Sequence, residues 1–253
     1  MRATTFEYRF RFLLHGVIYF IGFWPPWIAI PALDKLFQLT SDPTLLVLPL
    51  SLSRIGWLPP FSGTTGNVMV VLTLLLMGLG AWFRVWGTAY VGSGVVASHS
   101  MHGNTMLADG PYRHTRNPLY LGTLLHTFGL AMLMPPSGAI FAVVVVWIFQ
   151  VRLALAEEPF LTAQFGQQYV DYAARVPRFL PVLAPQVPAA GARPHWMQAI
   201  VGEIYFLGAF GCMAVLGWNF NETPIRQGIL ISLGVWLVVR AFLPGPKAAV
   251  EAA

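Results

Sequence analysis

Long apolar stretches recur along the chain and are separated by short polar segments. The stretches cover residues 12–32, 67–89, 119–134, 137–156, 197–217 and 225–243. Each approaches the ~20 apolar residues that an α-helix needs to cross a bilayer. The pattern predicts an all-α, polytopic integral membrane protein with roughly six transmembrane helices. Residues 44–58 are also apolar, but Pro49, Arg54 and Pro59 interrupt them, so we expect a re-entrant or interfacial segment there.

The composition supports this interpretation. Of the 253 residues, 56% are hydrophobic and only 10% are charged, whereas soluble proteins carry about 25% charged residues. Cys212 is the single cysteine, which excludes an intrachain disulfide. The net charge is +5, but the basic residues lie beside the apolar stretches rather than in one patch. This distribution argues against a nucleic-acid partner and favours the lipid bilayer.

The basic residues also predict an orientation. With the N-terminus in the cytoplasm, all but three of the 15 Lys and Arg residues fall on the cytoplasmic side, the exceptions being Lys35, Arg54 and Arg226. This asymmetry fits the positive-inside rule and an even number of spans. We therefore expect a multi-pass protein with both termini in the cytoplasm, in the inner membrane of a bacterium or the endoplasmic reticulum of a eukaryote.

Polar and turn-forming residues are concentrated between Gly110 and Gly122, just before the third apolar stretch. Asn117 is a favoured N-cap and Pro118 a favoured first helical residue, so a helix is predicted to begin here. Its N-terminus presents unpaired N–H groups, and Arg113 and Arg116 precede it, which suits a carboxylate or phosphate. The alternative is an ordinary interfacial loop, and the residues alone favour the two interpretations equally.

A second polar block, Glu157-Glu158, ends the fourth apolar stretch. Carboxylates at the end of an apolar helix are functional or paired when they face the protein interior. The following segment places aromatic residues at spacings of five, four and three, namely Phe160, Phe165, Tyr169 and Tyr172. This spacing predicts an interfacial amphipathic helix, which alone is also consistent with a simple membrane anchor.

Several isolated polar residues are explained without a catalytic or metal-binding role. His99 and His102 lack further ligands, so no metal site is predicted. His15 and His126 lie inside apolar stretches and are expected to be satisfied core residues. We expect Glu203, in the fifth stretch, to be satisfied by Arg240 or Tyr205.

The order of the two polar blocks resembles the isoprenylcysteine carboxyl methyltransferase family, which is related to the membrane phospholipid methyltransferases. Gly-Pro-Tyr-Arg and Arg-Asn-Pro-Leu-Tyr-x-Gly precede a hairpin, and Glu-Glu, Phe-Gly and Arg-Val-Pro-Arg-Phe-Leu-Pro follow it. The resemblance implies a methyltransferase core over residues 67–183. Residues 1–66 then form an N-terminal span with the interfacial segment, and residues 184–253 form a linker and two spans beyond the usual end of the family.

The resemblance implies that S-adenosylmethionine binds at the cytoplasmic surface, in keeping with the absence of a Rossmann fingerprint from the sequence. It implies cofactor contacts from His102, Asn104, Thr105, Met106, Leu107, Tyr112, Asn117, Pro118, Leu119, Tyr120 and Glu157. We expect Arg116, beside the helix start at Asn117, to face the carboxylate or the adenosyl moiety of the cofactor. Where the family most often has histidine, this chain has Asn117, and the family arginine before the acidic pair has its nearest counterpart, Arg152, one position displaced.

The predicted function is therefore methyl transfer to a lipophilic acceptor that arrives through the bilayer. The acceptor group is expected to be a carboxylate, as in isoprenylcysteine O-methylation, or a thiol. Arg152 and Arg175 are candidates to hold an anionic acceptor, with Glu158 beside them in the catalytic region. Two alternatives remain at this stage: a phospholipid amine N-methyltransferase, and a non-catalytic membrane scaffold or transporter that retains the fold.

Overall fold

The structure is a computed structural model that describes residues 2–24, 49, 62–93, 96 and 108–242. Within these ranges the protein is built of α-helices and short 3₁₀ turns, and they contain no β-strand. The helices are α1 (Thr5–Arg9), α2 (Arg11–Phe23), α3 (Gly63–Val91), α4 (Pro118–Ala131), α5 (Pro136–Phe165), α6 (Gln167–Arg175), α7 (Trp196–Gly202), α8 (Ile204–Leu216) and α9 (Glu222–Arg240). The predicted all-helical class is thus confirmed for the described part of the chain.

Two of these helices, α3 and α5, are long and apolar enough to cross a membrane. Helices α7 and α8 meet at a bend of 70° and would form a third crossing if they are counted as one broken span. The other predicted spans coincide with shorter or less apolar helices, so the count of roughly six crossings stays a prediction. Residues 25–32 and all but one residue of 44–58 lie outside the described residues.

Helices α3 and α4 cross with their backbones in direct contact. A Cβ atom added to Gly80 would lie 2.8 Å from the carbonyl oxygen of Gly122, and one added to Gly122 would lie 2.7 Å from that of Gly80. Small residues at a crossing allow such an approach, which maximises packing between helices in an apolar solvent. The crossing fixes the direction of α4 and therefore the position of its N-terminus.

A short turn joins α4 to α5, and the predicted hairpin is present. Leu133 and Met134 in this turn are fully buried, and Pro136 occupies the first position of α5. Proline suits this position because its missing N–H would have no partner within the helix. The hairpin therefore places the end of α5, with Glu157 and Glu158, back beside the beginning of α4.

The segment predicted to be one amphipathic helix divides into two pieces. Helix α5 continues through Pro159 to Phe165, and α6 begins after Gly166, whose φ of 56° ends the first helix. Tyr169 and Tyr172 on α6 are both buried against the protein. Phe165 packs against them, so three of the four predicted aromatic positions serve packing, and the location of this segment at a membrane surface stays a prediction.

Candidate active site

The beginning of α4 lies where the sequence predicts it, but Asn117 does not cap the helix with its side chain. Pro118 is the first helical residue and Asn117 occupies the N-cap position, yet no side-chain cap bond forms. The Asn117 side-chain amide instead donates to the carbonyl oxygen of Arg178 at 3.0 Å. The backbone N–H of Arg116 donates to the carbonyl of Pro177 at 2.8 Å. Both bonds tie the predicted anion-binding segment to the chain that follows α6.

Glu158 holds two arginines at this junction. Its carboxylate accepts from Arg116 Nη1 at 2.9 Å and from Arg178 Nε and Nη2 at 2.7 and 3.0 Å. Arg116 Nε is buried and has no hydrogen-bond partner among the described residues. A buried donor without a hydrogen-bond partner is costly, and the Arg116 guanidinium as a whole also interacts with the side chain of Tyr169. Glu158 itself acts here as the carboxylate that orients both guanidinium groups.

Glu157 points to a different partner, as expected for consecutive residues of a helix. The hydroxyl of Tyr120 on α4 donates a hydrogen bond to its carboxylate. Tyr8 on α1 also interacts with Glu157: burial, and then the nearby carboxylate, raise the pKa of the Tyr8 phenol. The hydroxyl of Tyr8 therefore stays protonated and remains a hydrogen-bond donor at neutral pH. Helices α1, α4 and α5 meet at this carboxylate.

Tyr112 and Gly110 join the segment before α4 to α6 and to α3. Tyr112 lies in the 3₁₀ turn Gly110–Arg113, is buried, and accepts a hydrogen bond at its carbonyl from the hydroxyl of Tyr172 at 2.8 Å. Burial raises the pKa of Tyr112, so its hydroxyl too stays protonated. Gly110 has a φ of 53°, and an added Cβ would overlap the ring of Tyr90. Only glycine allows the turn to approach α3 in this way.

The region around this site is similar in sequence to known proteins. Residues 68–168, which include both polar blocks, match the family model described as phospholipid methyltransferase. The chain is 42% identical over 77 residues to protein-S-isoprenylcysteine O-methyltransferase B of Arabidopsis thaliana, covering 30% of this chain and 39% of that protein. It is 30% identical over 151 residues to protein-S-isoprenylcysteine O-methyltransferase A of the same plant, covering 59% of this chain and 73% of that protein. The chain belongs to the isoprenylcysteine carboxyl methyltransferase family.

Similarity to the isoprenylcysteine carboxyl methyltransferase family is uneven in extent. The chain spans 39% of the length of the Arabidopsis B protein and 73% of that of the A protein. It is also 29% identical over 157 residues to the cobalt-zinc-cadmium resistance protein CzcN of Cupriavidus metallidurans, which covers 60% of this chain and 65% of that protein. No solved structure matches the chain.

The other residues that the family resemblance implied lie either at the start of α4 or outside the described residues. Pro118 is buried at the start of α4, and the side chain of Leu119 packs against Gly87 of α3. His102, Asn104, Thr105, Met106 and Leu107 lie outside the described residues, and so does His99. The described cofactor candidates therefore come from the segment before α4, from its first turn and from the end of α5.

The arginines expected to hold an acceptor are not gathered around Glu158. Arg152 forms a bidentate ion pair with Glu7 of α1, with N···O distances of 3.0 and 2.8 Å. Arg175 is exposed at the end of α6. The partner of Arg152 is 145 residues away in sequence, which is why the local pattern gave no sign of it.

The expected partners of Glu203 were wrong. Its carboxylate, which is 2% exposed, accepts from Arg84 Nε and Nη2 at 2.9 and 2.8 Å and from Thr88 Oγ1 at 2.6 Å. Arg84 and Thr88 lie one helical turn apart on α3, so both face the same carboxylate. A basic residue in an apolar helix was the available signal, because such a residue needs a buried counter-charge.

Of the two histidines inside apolar stretches, His15 is satisfied, as predicted, whereas His126 is satisfied only at Nε2, because its Nδ1 is buried without a hydrogen-bond partner among the described residues. His15 Nδ1 lies 2.6 Å from the carbonyl oxygen of Arg11, and its Nε2 lies 3.0 Å from Gln150 Nε2. His126 Nε2 lies 3.3 Å from the hydroxyl of Tyr205. Among the described residues no group of three His, Cys, Asp or Glu side chains is arranged to hold a metal ion.

Proposed function

We propose that the protein is an S-adenosylmethionine-dependent membrane methyltransferase that acts on a lipophilic acceptor. The observation that carries this proposal is the convergence of Glu157, Tyr120 and the unpaired Arg116 Nε around the start of α4, inside the segment that matches the family. A carboxylate and an arginine donor near each other are suited to a zwitterionic ligand. We place this site on the cytoplasmic side.

The described residues fit the amino-acid part of such a cofactor. Arg116 Nε and the first N–H groups of α4 would hold its carboxylate, because both present positive charge to an anion. Glu157 would hold its ammonium group or its ribose hydroxyls. Tyr112, Asn117, Pro118 and Leu119 would form the surrounding wall. We also retain His102, Asn104, Thr105, Met106 and Leu107 as proposed contacts.

The bound cofactor would supply a sulfonium methyl group that is already activated for transfer to a nucleophile. The protein then needs to align the acceptor and to exclude water, rather than to provide a strong base. For a carboxylate acceptor, Arg152 and Arg175 remain our proposed anchors, with Arg152 exchanging the carboxylate of Glu7 for that of the acceptor. Glu158 contributes by holding Arg116 in place.

The acceptor we propose is a prenylated cysteine carboxylate or a lipophilic thiol, on the strength of the relatives named protein-S-isoprenylcysteine O-methyltransferase. It would enter from the bilayer, because the helices around the site are apolar. The second candidate is a phospholipid amine N-methyltransferase, which is favoured by the description of the matching family model. We retain the division into residues 1–66, 67–183 and 184–253.

Cofactor binding tests the proposal directly. The full chain in nanodiscs should bind S-adenosylmethionine in calorimetry, and Glu157→Gln should weaken binding by at least tenfold because it removes the acceptor charge. Asp171→Asn makes the same carboxylate-to-amide change at an exposed position of α6 and should leave binding unchanged. Absence of measurable binding by the unaltered protein would sink the proposal.

The acceptor is identified by a transfer assay. The protein is incubated with radiolabelled S-adenosylmethionine and a panel of prenylcysteines, small thiols, fatty acids and phospholipids. Label in a base-labile ester of prenylcysteine supports the leading proposal. Label in phosphatidylethanolamine alone supports the second candidate, and binding without transfer to any acceptor supports a non-catalytic protein.

A further inference from the structure

Residues 177–195, which we call the strap, lie along the polar segment before α4. The strap contains no helix, yet its backbone is bonded to residues 113–116 at successive points. Arg116 N donates to the carbonyl of Pro177 at 2.8 Å, Val182 N to the carbonyl of His114 at 3.2 Å, and Gln186 N to the carbonyl of Arg113 at 2.9 Å. The predicted linker therefore contacts the segment from Asp109 to Asn117. We call this the donor segment, because it forms part of the proposed binding site for the methyl donor.

Two side chains of the donor segment anchor the far half of the strap. Asp109 is 3% exposed, and its two oxygens accept from the backbone N–H groups of Ala190 and Ala192 at 2.8 and 2.7 Å. Arg113 Nε donates to the carbonyl of Val187 at 2.9 Å. Hydrogen bonds to an ionised partner are about twice as strong as neutral ones. Asp109 and Arg113 thus supply three side-chain bonds to residues 187–192 of the strap.

The sequence of the strap suits a preformed tether. Five prolines, Pro177, Pro181, Pro185, Pro188 and Pro194, fix φ along it and reduce the conformations open to the free segment. Prolines cannot donate, so the remaining N–H groups carry the attachment.

Both ends of the strap are fixed to other parts of the protein. Near its start, Arg178 pairs with Glu158 of α5. At its end, His195 N donates to the carbonyl of Ala89 on α3 at 2.7 Å, and α7 begins at the next residue. The strap therefore links the donor segment to the C-terminal helices as well as to α3 and α5.

We infer that Asp109 and Arg113 are positioning residues that hold the donor segment in its binding shape through the strap. The inference rests on the proposed function. Apart from the turn Gly110–Arg113, the segment from Asp109 to Asn117 has no regular structure of its own, so without the strap it would sample many shapes. A ligand that needs one shape binds more weakly in proportion to the population of that shape. The strap raises that population before the cofactor arrives.

The test separates loop order from cofactor affinity. Asp109→Ala is prepared in the full chain in nanodiscs, with Asp171→Asn as a control that removes an exposed carboxylate. In Asp109→Ala we expect faster hydrogen–deuterium exchange at the amides of residues 112–116 and S-adenosylmethionine binding weaker by about tenfold. The KM for the cofactor should rise while kcat at saturating cofactor stays within about twofold, since the groups around the reacting atoms are unchanged.

Two milder variants distinguish the loss of the strap bonds from a failure of Asp109→Ala to fold. Asp109→Asn keeps one acceptor oxygen and should lie between Asp109→Ala and the unaltered protein. Arg113→Lys keeps the charge but loses the Nε donor to Val187, and should also give an intermediate loss of affinity.

A covalent tether provides rescue. In a Cys212→Ser background, His114→Cys and Val182→Cys join the strap to the donor segment where their backbones are already bonded. Added to Asp109→Ala, the disulfide should restore slow exchange and cofactor affinity when oxidised, and both should be lost on reduction.

Cofactor binding and hydrogen–deuterium exchange together decide whether the proposed function fails, the role of the strap fails, or both do. If the unaltered protein does not bind S-adenosylmethionine, the proposed function fails, whereas the exchange data still judge the strap. If cofactor binding is normal in Asp109→Ala although exchange is faster, the strap has only a structural role and the inference is overturned. Unchanged exchange in Asp109→Ala overturns it as well.

Discussion

Glu7 and Arg152 show how a single ion pair fixes the N-terminal segment to the core. Glu7 closes a capping box with Thr4 at the start of α1, and its carboxylate also receives two hydrogen bonds from Arg152 of α5. The hydrogen bond from Arg152, followed by that from the Thr4 backbone, lowers the pKa of Glu7 to about 2. Because α1 also carries Tyr8, this attachment positions one of the groups that meet Glu157.

The lowered pKa predicts a dependence of stability on pH. The ionised carboxylate is favoured in the folded state, so its contribution is complete above the ordinary pKa of 4.5 and is lost as the pH falls toward 2. Glu7→Gln should lower the thermal midpoint by a few degrees at neutral pH and should remove this part of the acid dependence. Thermal unfolding in detergent between pH 6 and about pH 3 checks this. A variant that keeps the full pH dependence of the unaltered protein contradicts the assignment.

At the scale of elements, the crossing of α3 and α4 determines where the donor site lies. Gly122→Ala would place a methyl group 2.7 Å from the Gly80 carbonyl oxygen and 2.9 Å from Arg84 Cγ, so one helix must move. We expect a loss of about 1–3 kcal/mol of folding free energy, as for other overpacked sites. Gly211→Ala on α8 is the matched control, since nothing lies within 4 Å of its added methyl. Equal thermal midpoints for the two variants would contradict the close crossing.

Helix starts and turns could be predicted from the sequence, whereas contacts between distant segments could not. The start of α4 at Pro118 and the hairpin before Pro136 were predictable, because proline and its neighbours act on their own backbone. The side-chain bond of Asn117 was not, since its acceptor at Arg178 is 61 residues away and competes with the local cap. The attachment of the strap could not be predicted for the same reason. Its prolines disfavour a helix, but its bonds to residues 109–116 depend on tertiary packing.

At the scale of the whole molecule, a buried ion pair attaches the C-terminal helices to the core. Glu203 lies at the 70° bend between α7 and α8 and pairs with Arg84 in the middle of the protein. The carbonyl of Gly202 at the same bend accepts from Trp236 Nε1 of α9 at 2.9 Å. The bend is thus satisfied by α3 on one side and α9 on the other. A broken helix is tolerated at membrane depth only where the freed groups find such partners.

The pair predicts a large and asymmetric mutational effect. Glu203→Gln leaves the Arg84 charge buried without its counter-charge and should destabilise the protein by about 3–5 kcal/mol. Replacing both partners, with Arg84→Met and Glu203→Leu, removes the uncompensated charge and should recover much of that loss. Thermal unfolding of the unaltered protein, of Arg84→Met and Glu203→Leu alone, and of the variant that carries both forms a double-mutant cycle, with Asp171→Asn as the exposed control. Additive losses in the cycle would show that the two residues are not coupled, and the C-terminal helices would then owe their attachment to apolar packing alone.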